Sequence, residues 1–162
     1  MPGTSRLPRL PTGDELNDIL RKALTAVATE AIAIIRARTT AGRDLDGNAF
    51  APYSPTYAKA KAQSGNTVVN LTASGELLAG LKLLRIEPSG QAIIGWDSRQ
   101  HATEHYTRQG LKKGNSTVAL LDLIEGLQHK REFLGIRNPE ELSRLVALCE
   151  REIAAGIQQL QH

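Results

Sequence analysis

The chain has 162 residues, 41% of them apolar and 23% charged, which is the make-up of an ordinary globular protein and not of a disordered or fibrous one. Its single cysteine, Cys149, excludes an internal disulfide and any thiolate metal cluster. A net charge of +3 suits nucleic acid without demanding it, and aromatics at 4% argue against a single-strand binder that stacks bases on exposed rings.

Residues 1–11 (MPGTSRLPRLP) hold three prolines and a glycine, so an extended basic arm carrying Arg6 and Arg9 is expected, ordered by a partner. No apolar run follows it, so neither a signal peptide nor a membrane span is legible, and a chain made in a cytoplasm is expected. Residues 12–162 read as one domain. Thr12-Gly13-Asp14-Glu15 matches a capping box, in which a threonine hydroxyl and a glutamate carboxylate satisfy the free N–H groups of a first helical turn. Leu16, Ile19, Leu20, Ala23, Val27, Ala31, Ile34 and Ile35 then recur at helical spacing to about Arg38, a helix of roughly 37 Å at 1.5 Å per residue. From Thr39 to Tyr53 the period stops, and Gly42, Asp44, Asp46, Gly47, Asn48 and Pro52 supply turn chemistry.

Ser54-Pro55 opens a short helix to about Ala62 that bears Tyr57, Lys59 and Lys61. A second short helix is expected over 71–81, with Thr72 or Ser74 as its cap. Residues 82–87 and 91–96 flank Pro88-Ser89-Gly90 as an antiparallel hairpin; further pairing is expected, either with residues 67–69 or across a subunit boundary, because a lone hairpin is marginal in water. Asp97 is expected to cap a helix over 98–108, with a basic loop at Lys112-Lys113 and another helix over 118–127. Asn138-Pro139-Glu140-Glu141 combines an N-cap, a first-turn proline and acids against the dipole, so the last helix starts there. Its stripe runs through Leu142, Leu145, Val146, Cys149, Ile153, Gly156, Ile157 and Leu160. The fold class is α+β: long N-terminal and C-terminal helices packed on a small antiparallel sheet with its hairpin at about 82–96.

Chemistry-bearing patterns are few. His101-Ala102-Thr103-Glu104-His105 fits H-x-x-E-H, where two histidines on one helical face chelate zinc and the glutamate serves as base, with Glu125 or Glu132 as third ligand. The pattern has only three fixed positions, and a solvated or interface helix is the favoured reading. Asp44-Leu45-Asp46-Gly47-Asn48 departs from a calcium loop, since the twelfth residue is Pro55 and not glutamate; side chains folding a turn around Gly47 are expected instead. Cys149, on an apolar stripe, reads as a buried structural thiol. No phosphate loop or nucleophile elbow occurs, and no cofactor is expected.

The order of the blocks resembles the phage virion morphogenesis or tail completion family of Mu-like and P2-like phages and prophages. A long helix leads to Gly42, Asp44, Asp46, Gly47 and Phe50, then Ser54, Pro55, Tyr57 and Lys59. Leu71, Gly75 and Leu77 follow, then His105, and finally Arg131, Phe133, Leu134 and Gly135. The resemblance spans about residues 14–157. It implies a structural protein of the phage neck that assembles as a homo-oligomeric ring and serves tail completion or head-tail joining. Its implied partners are head-completion or connector and tail-terminator proteins, with genomic DNA passing without sequence specificity; no catalysis, cofactor or membrane is implied. On this reading the arm at 1–11 and the loop at 44–53 order on docking to neighbours. A nucleic-acid-binding regulator, and more distantly a zinc hydrolase, are the alternative readings.

Overall fold

The computed structural model describes residues 9–63, 67–71, 75–97, 99, 101–103 and 117–161. In chain order the elements are α1 (Gly13–Thr40), α2 (Pro55–Gln63), α3 (Glu76–Gly80), β1 (Lys82–Glu87), β2 (Gln91–Gly95), β3 (His101–Thr103), β4 (Thr117–Ala119), α4 (Leu120–Gln128) and α5 (Pro139–Gln159). The α+β class expected from the sequence is what forms.

The capping box at the head of α1 is complete: the Glu15 N–H donates to Thr12 Oγ1 at 3.3 Å, and the Thr12 N–H donates to the Glu15 carboxylate at 2.8 Å. These bonds and the Arg9 charge hold the Glu15 carboxyl below its usual range. At the other end, the Arg43 N–H reaches the Arg38 carbonyl at 3.1 Å and the Gly42 N–H reaches Thr39 at 3.0 Å, a Schellman motif with Gly42 at φ 75°.

Alpha-helices α1 and α5 pack antiparallel. Ile19 near the start of α1 meets Gly156 near the end of α5, and Arg38 near the end of α1 pairs with Glu141 in the first turn of α5 at 2.5 Å. Between them Glu30 pairs with Arg144. Glycine is what lets the backbones approach, since a Cβ at position 156 would lie 2.8 Å from two Ile19 carbons. Asn138 caps α5 through the Glu140 N–H at 2.9 Å, with Pro139 as its first residue.

The core collects on the C-terminal half of α1. Ile32 and Ile35 pack with Phe50, Leu71, Leu77, Leu81, Trp96, Ile124 and Phe133, and a second cluster joins Ala31 and Ile34 to Leu145 of α5. Strands β1 and β2 form an antiparallel hairpin, Leu83 opposite Ile94, with a bulge between Leu83 and Arg85. The turn is closed by the Gly90 N–H on the Glu87 carbonyl at 3.0 Å.

Several expectations are corrected. The helix proposed over 98–108 does not form at residues 101–103, which are strand β3 paired antiparallel with β4. Asp97 instead accepts the Arg99 N–H at 3.0 Å, a local turn, and the Lys112-Lys113 loop lies outside the described residues. The helix proposed over 118–127 starts only at Leu120, because residues 117–119 are strand β4. The helix proposed over 71–81 shrinks to α3, whose N-cap is Gly75 at φ 79°, with no side-chain cap; Thr72 and Ser74 lie outside the described residues. Residues 67–69 add no third strand to the hairpin. The apolar stripes also overreach: Leu16, Leu20, Leu142 and Val146 are exposed, and Cys149 is half-buried where enclosure was expected.

Candidate functional site

Two segments far apart in the chain meet beside the end of α1. The loop after α1 folds on itself: Asp44 Oδ1 accepts the Asp46 and Asn48 N–H groups at 3.0 and 2.9 Å, and the Gly47 N–H donates to the Asp44 carbonyl at 3.1 Å, with Gly47 at φ 85°. The loop closes through an Arg43–Ala49 bridge and a Phe50 N–H bond to the Gly42 carbonyl at 2.8 Å. This is the side-chain-folded turn expected of these residues. The loop then docks on the segment after α4. The Leu45 N–H donates to the Glu132 carbonyl at 2.9 Å, Arg131 donates to the Ala51 carbonyl at 3.0 Å, and Arg137 bridges Asp46 and Glu132 at 3.2 and 3.1 Å.

That second segment is itself held from two sides. Gln128 Oε1 accepts the Phe133 and Leu134 N–H groups at 3.3 and 3.2 Å. Arg38, only 7% exposed, donates to the Phe133 and Gly135 carbonyls, each at 2.8 Å, while pairing with Glu141. Phe133 is fully buried, edge-on to Trp96 at 6.3 Å, and the Trp96 indole N–H donates to the Leu77 carbonyl at 2.6 Å.

A third feature ties α2 to this pair. Lys61, 2% exposed, shares its three Nζ–H donors among four oxygens, the Tyr53 hydroxyl at 3.0 Å, the Val68 and Asn70 carbonyls at 3.1 Å, and Asn70 Oδ1 at 2.9 Å. The Tyr53 hydroxyl donates to the Asn70 carbonyl. The Tyr53 ring carries Lys61 Nζ at 4.7 Å and the Arg131 guanidinium at 4.8 Å, with Tyr57 edge-on at 4.8 Å. Burial, with Tyr57 beside it, pushes the Tyr53 hydroxyl up to about 12. Burial, and then the Arg131 charge, pulls the Lys61 ammonium below its ordinary value.

The motif residues therefore divide. Gly42, Asp44, Asp46, Gly47, Arg131, Leu134 and Gly135 form the docked pair of segments, with Gly135 at φ 128° against the Leu45 side chain. Phe50, Leu71, Leu77 and Phe133 are core. Ser54 and Pro55 start α2, and Tyr57 supports Tyr53, whereas Lys59 is exposed. Gly75 begins α3. Arg6 and His105 lie outside the described residues. Arg9 pairs with Glu15, so the end of the arm is tied to α1 by the chain itself. Likewise the loop at 44–53, expected to order on docking, is already held by its own chain.

The zinc reading loses its frame at one end: chelation from a shared helical face requires a helix through His101, and that backbone is strand. Glu125 and Glu132 line an open depression of about 660 Å³ with His129 and Arg137. Among the described residues no group of three His, Cys, Asp or Glu is placed to hold a metal. No helix among them is long and apolar enough to cross a membrane.

Sequence reasoning passed over Lys61, Asn70, Arg38 and Gln128 as parts of this region. Arg38 had a signal, since it lies four residues beyond Ile34 on the buried stripe of α1. Lys61 lies four beyond Tyr57 on one face of α2. Asn70 had none. Compared with family models, with curated proteins and with solved structures, the chain matches none of them.

Proposed function

We propose that the chain is a structural virion protein of the phage neck, assembling as a ring at the head-to-tail connection, where it serves tail completion or head-tail joining. The observation that carries the reading is the meeting of the two motif blocks, residues 42–50 and 131–135, in one internally braced unit joined by hydrogen bonds and ion pairs. A docking surface gains from such bracing because little conformational entropy remains to be lost on contact. Ring closure requires heterologous contacts that repeat by rotation, and polar loops braced on a small α+β body suit that arrangement. In this reading the neighbours are head-completion or connector proteins and tail-terminator proteins, genomic DNA passes without sequence specificity, and the protein resides in the neck or tail region of the virion.

The test is electron microscopy of purified particles decorated with antibody to this chain. Label at the vertex that bears the tail is the expected result. Particles that carry no label, or tails that join heads normally when the gene is removed, refute the reading.

A further inference from the structure

The open depression beside the last turn of α1 has an apolar floor and an acidic rim. Leu45 and Ile124, 6% and 9% exposed, form the floor with Leu134, and Leu121, 45% exposed, stands at the wall. Of the rim carboxylates, Glu132 is tied to Arg137, whereas Glu125 makes no ion pair among the described residues. The C-terminus of α4 ends at the same rim, and its free carbonyls add to the attraction for a cation.

The arm has the matching chemistry. Residues 1–11 contain no acid, and Arg6-Leu7-Pro8-Arg9-Leu10 repeats a cation followed by a leucine. Leu10 is 85% exposed, so it finds no cover on its own chain. The depression of the same chain is out of reach. From Gly13 to Arg38, whose guanidinium holds the Phe133 and Gly135 carbonyls, α1 rises about 37 Å at 1.5 Å per residue. Leu7 stands five residues before Thr12, so it lies at most about 18 Å from it even when fully extended. Arg9 is moreover drawn to Glu15 in the first turn of α1, which keeps the arm at that end of the helix.

We propose that the depression receives the arm of a second copy, with Leu7 seated on Leu121 and Ile124 and Arg6 against Glu125. Arm and depression stand at opposite ends of α1, so each copy gives its arm to one neighbour and takes the arm of another. Such a contact is heterologous and repeats until rotation closes it. It rests on the ring part of the reading above, whose repeating contact it names, and not on the place of that ring in the neck.

Sedimentation velocity of the full chain at low salt, alone and in mixtures of variants, tests it. The chain should associate reversibly as its concentration rises, and more weakly as salt screens the charges over a Debye length of about 10 Å at 0.1 M. Leu7→Asp on the arm and Leu121→Asp in the depression should each weaken association at least about tenfold. An equimolar mixture of those two variants should form a dimer that grows no further, because the first keeps its depression and the second keeps its arm. A variant that fails to fold cannot do this. Arg6→Glu should weaken association about threefold, and Arg6→Glu with Glu125→Arg should recover it. A chain that is monomeric at every concentration overturns the proposal, as does a mixture that stays monomeric. Association indifferent to Leu7→Asp, or lost with Leu7→Asp but untouched by Leu121→Asp, overturns it too by moving the contact to another surface. Closed rings that persist in the Leu7→Asp chain sink this contact and leave the ring reading intact, whereas particles without label refute the neck reading and leave the dimer of the mixture as support for the contact.

Discussion

Gly42 offers the sharpest test of how the motif loop is built, because two separate physical demands meet there and one neighbour isolates them. Its φ of 75° disfavours any L side chain, and a Cβ at this position would lie 2.5 Å from the Val69 carbonyl oxygen. Gly47, at φ 85°, shares the first demand only, since nothing lies within 4 Å of its Cβ position. An alanine in the left-handed region costs about 1–2 kcal/mol, and the stiffer unfolded chain returns about 0.4–1. Gly47→Ala should therefore cost about 0.5–1 kcal/mol. Gly42→Ala adds an overlap of the kind that costs about 1–3 kcal/mol in a packed site, for a total of about 2–4.

That overlap is hard to relieve because the carbonyls on either side, of Val68 and Asn70, are both held by Lys61 Nζ at 3.1 Å. Urea unfolding of the two single variants reads the difference directly. At about 2–4 °C per kcal/mol for a chain of this size, melting should fall by about 5–12 °C for Gly42→Ala and by about 2 °C for Gly47→Ala. Lys61→Met frees the carbonyls, so Gly42→Ala with Lys61→Met should cost less than the sum of the two alone, by about 0.5–2 kcal/mol. Equal costs at Gly42 and Gly47, or strict additivity with Lys61→Met, would refute this account of the loop.

Arg38→Met should destabilise by about 3 kcal/mol, since it strands the Phe133 and Gly135 carbonyls and leaves the Glu141 carboxylate without its partner; a loss under about 1 kcal/mol in urea unfolding would mean that Arg38 is not the brace described. Thr39 is fully buried and its hydroxyl makes no hydrogen bond among the described residues, so Thr39→Val should leave stability unchanged or raise it by about 1 kcal/mol, and a clear loss would expose a partner for that oxygen. Tyr53 ionises near pH 12 when folded and near 10 when unfolded, so the fold favours its protonated form and that stability, present below pH 10, is lost between 10 and 12. Tyrosinate absorbance should show a late step that Tyr53→Phe abolishes, and its persistence in that variant would assign the step elsewhere. Lys61 has the opposite sign. Its folded pKa lies below 10.5, so the unfolded chain holds the proton more tightly and stability should rise with pH toward that value, a limb that Lys61→Met removes.

What the sequence determined by itself is what short-range physics controls. The capping box at Thr12, the Asn138-Pro139 start of α5, the Pro88-Ser89-Gly90 turn and the Asp44 turn all need only neighbours within a few residues, and each forms as read. The two long helices were legible for the same reason, since their apolar period repeats over many turns. Tertiary structure decided the rest. Residues 101–103 and 117–119 became strands because each supplies the other's backbone partners across 14 or more positions, a pairing that no local pattern announces. Burial along the helices was decided by where the second surface ends: Ile19 is covered because Gly156 lies against it, and Leu20, one residue on, is left at the surface. In the candidate site the turn residues were legible. Lys61 and Arg38 were not, because a charged side chain is buried only where carbonyls from remote segments converge on it, and that convergence exists only once the chain has folded.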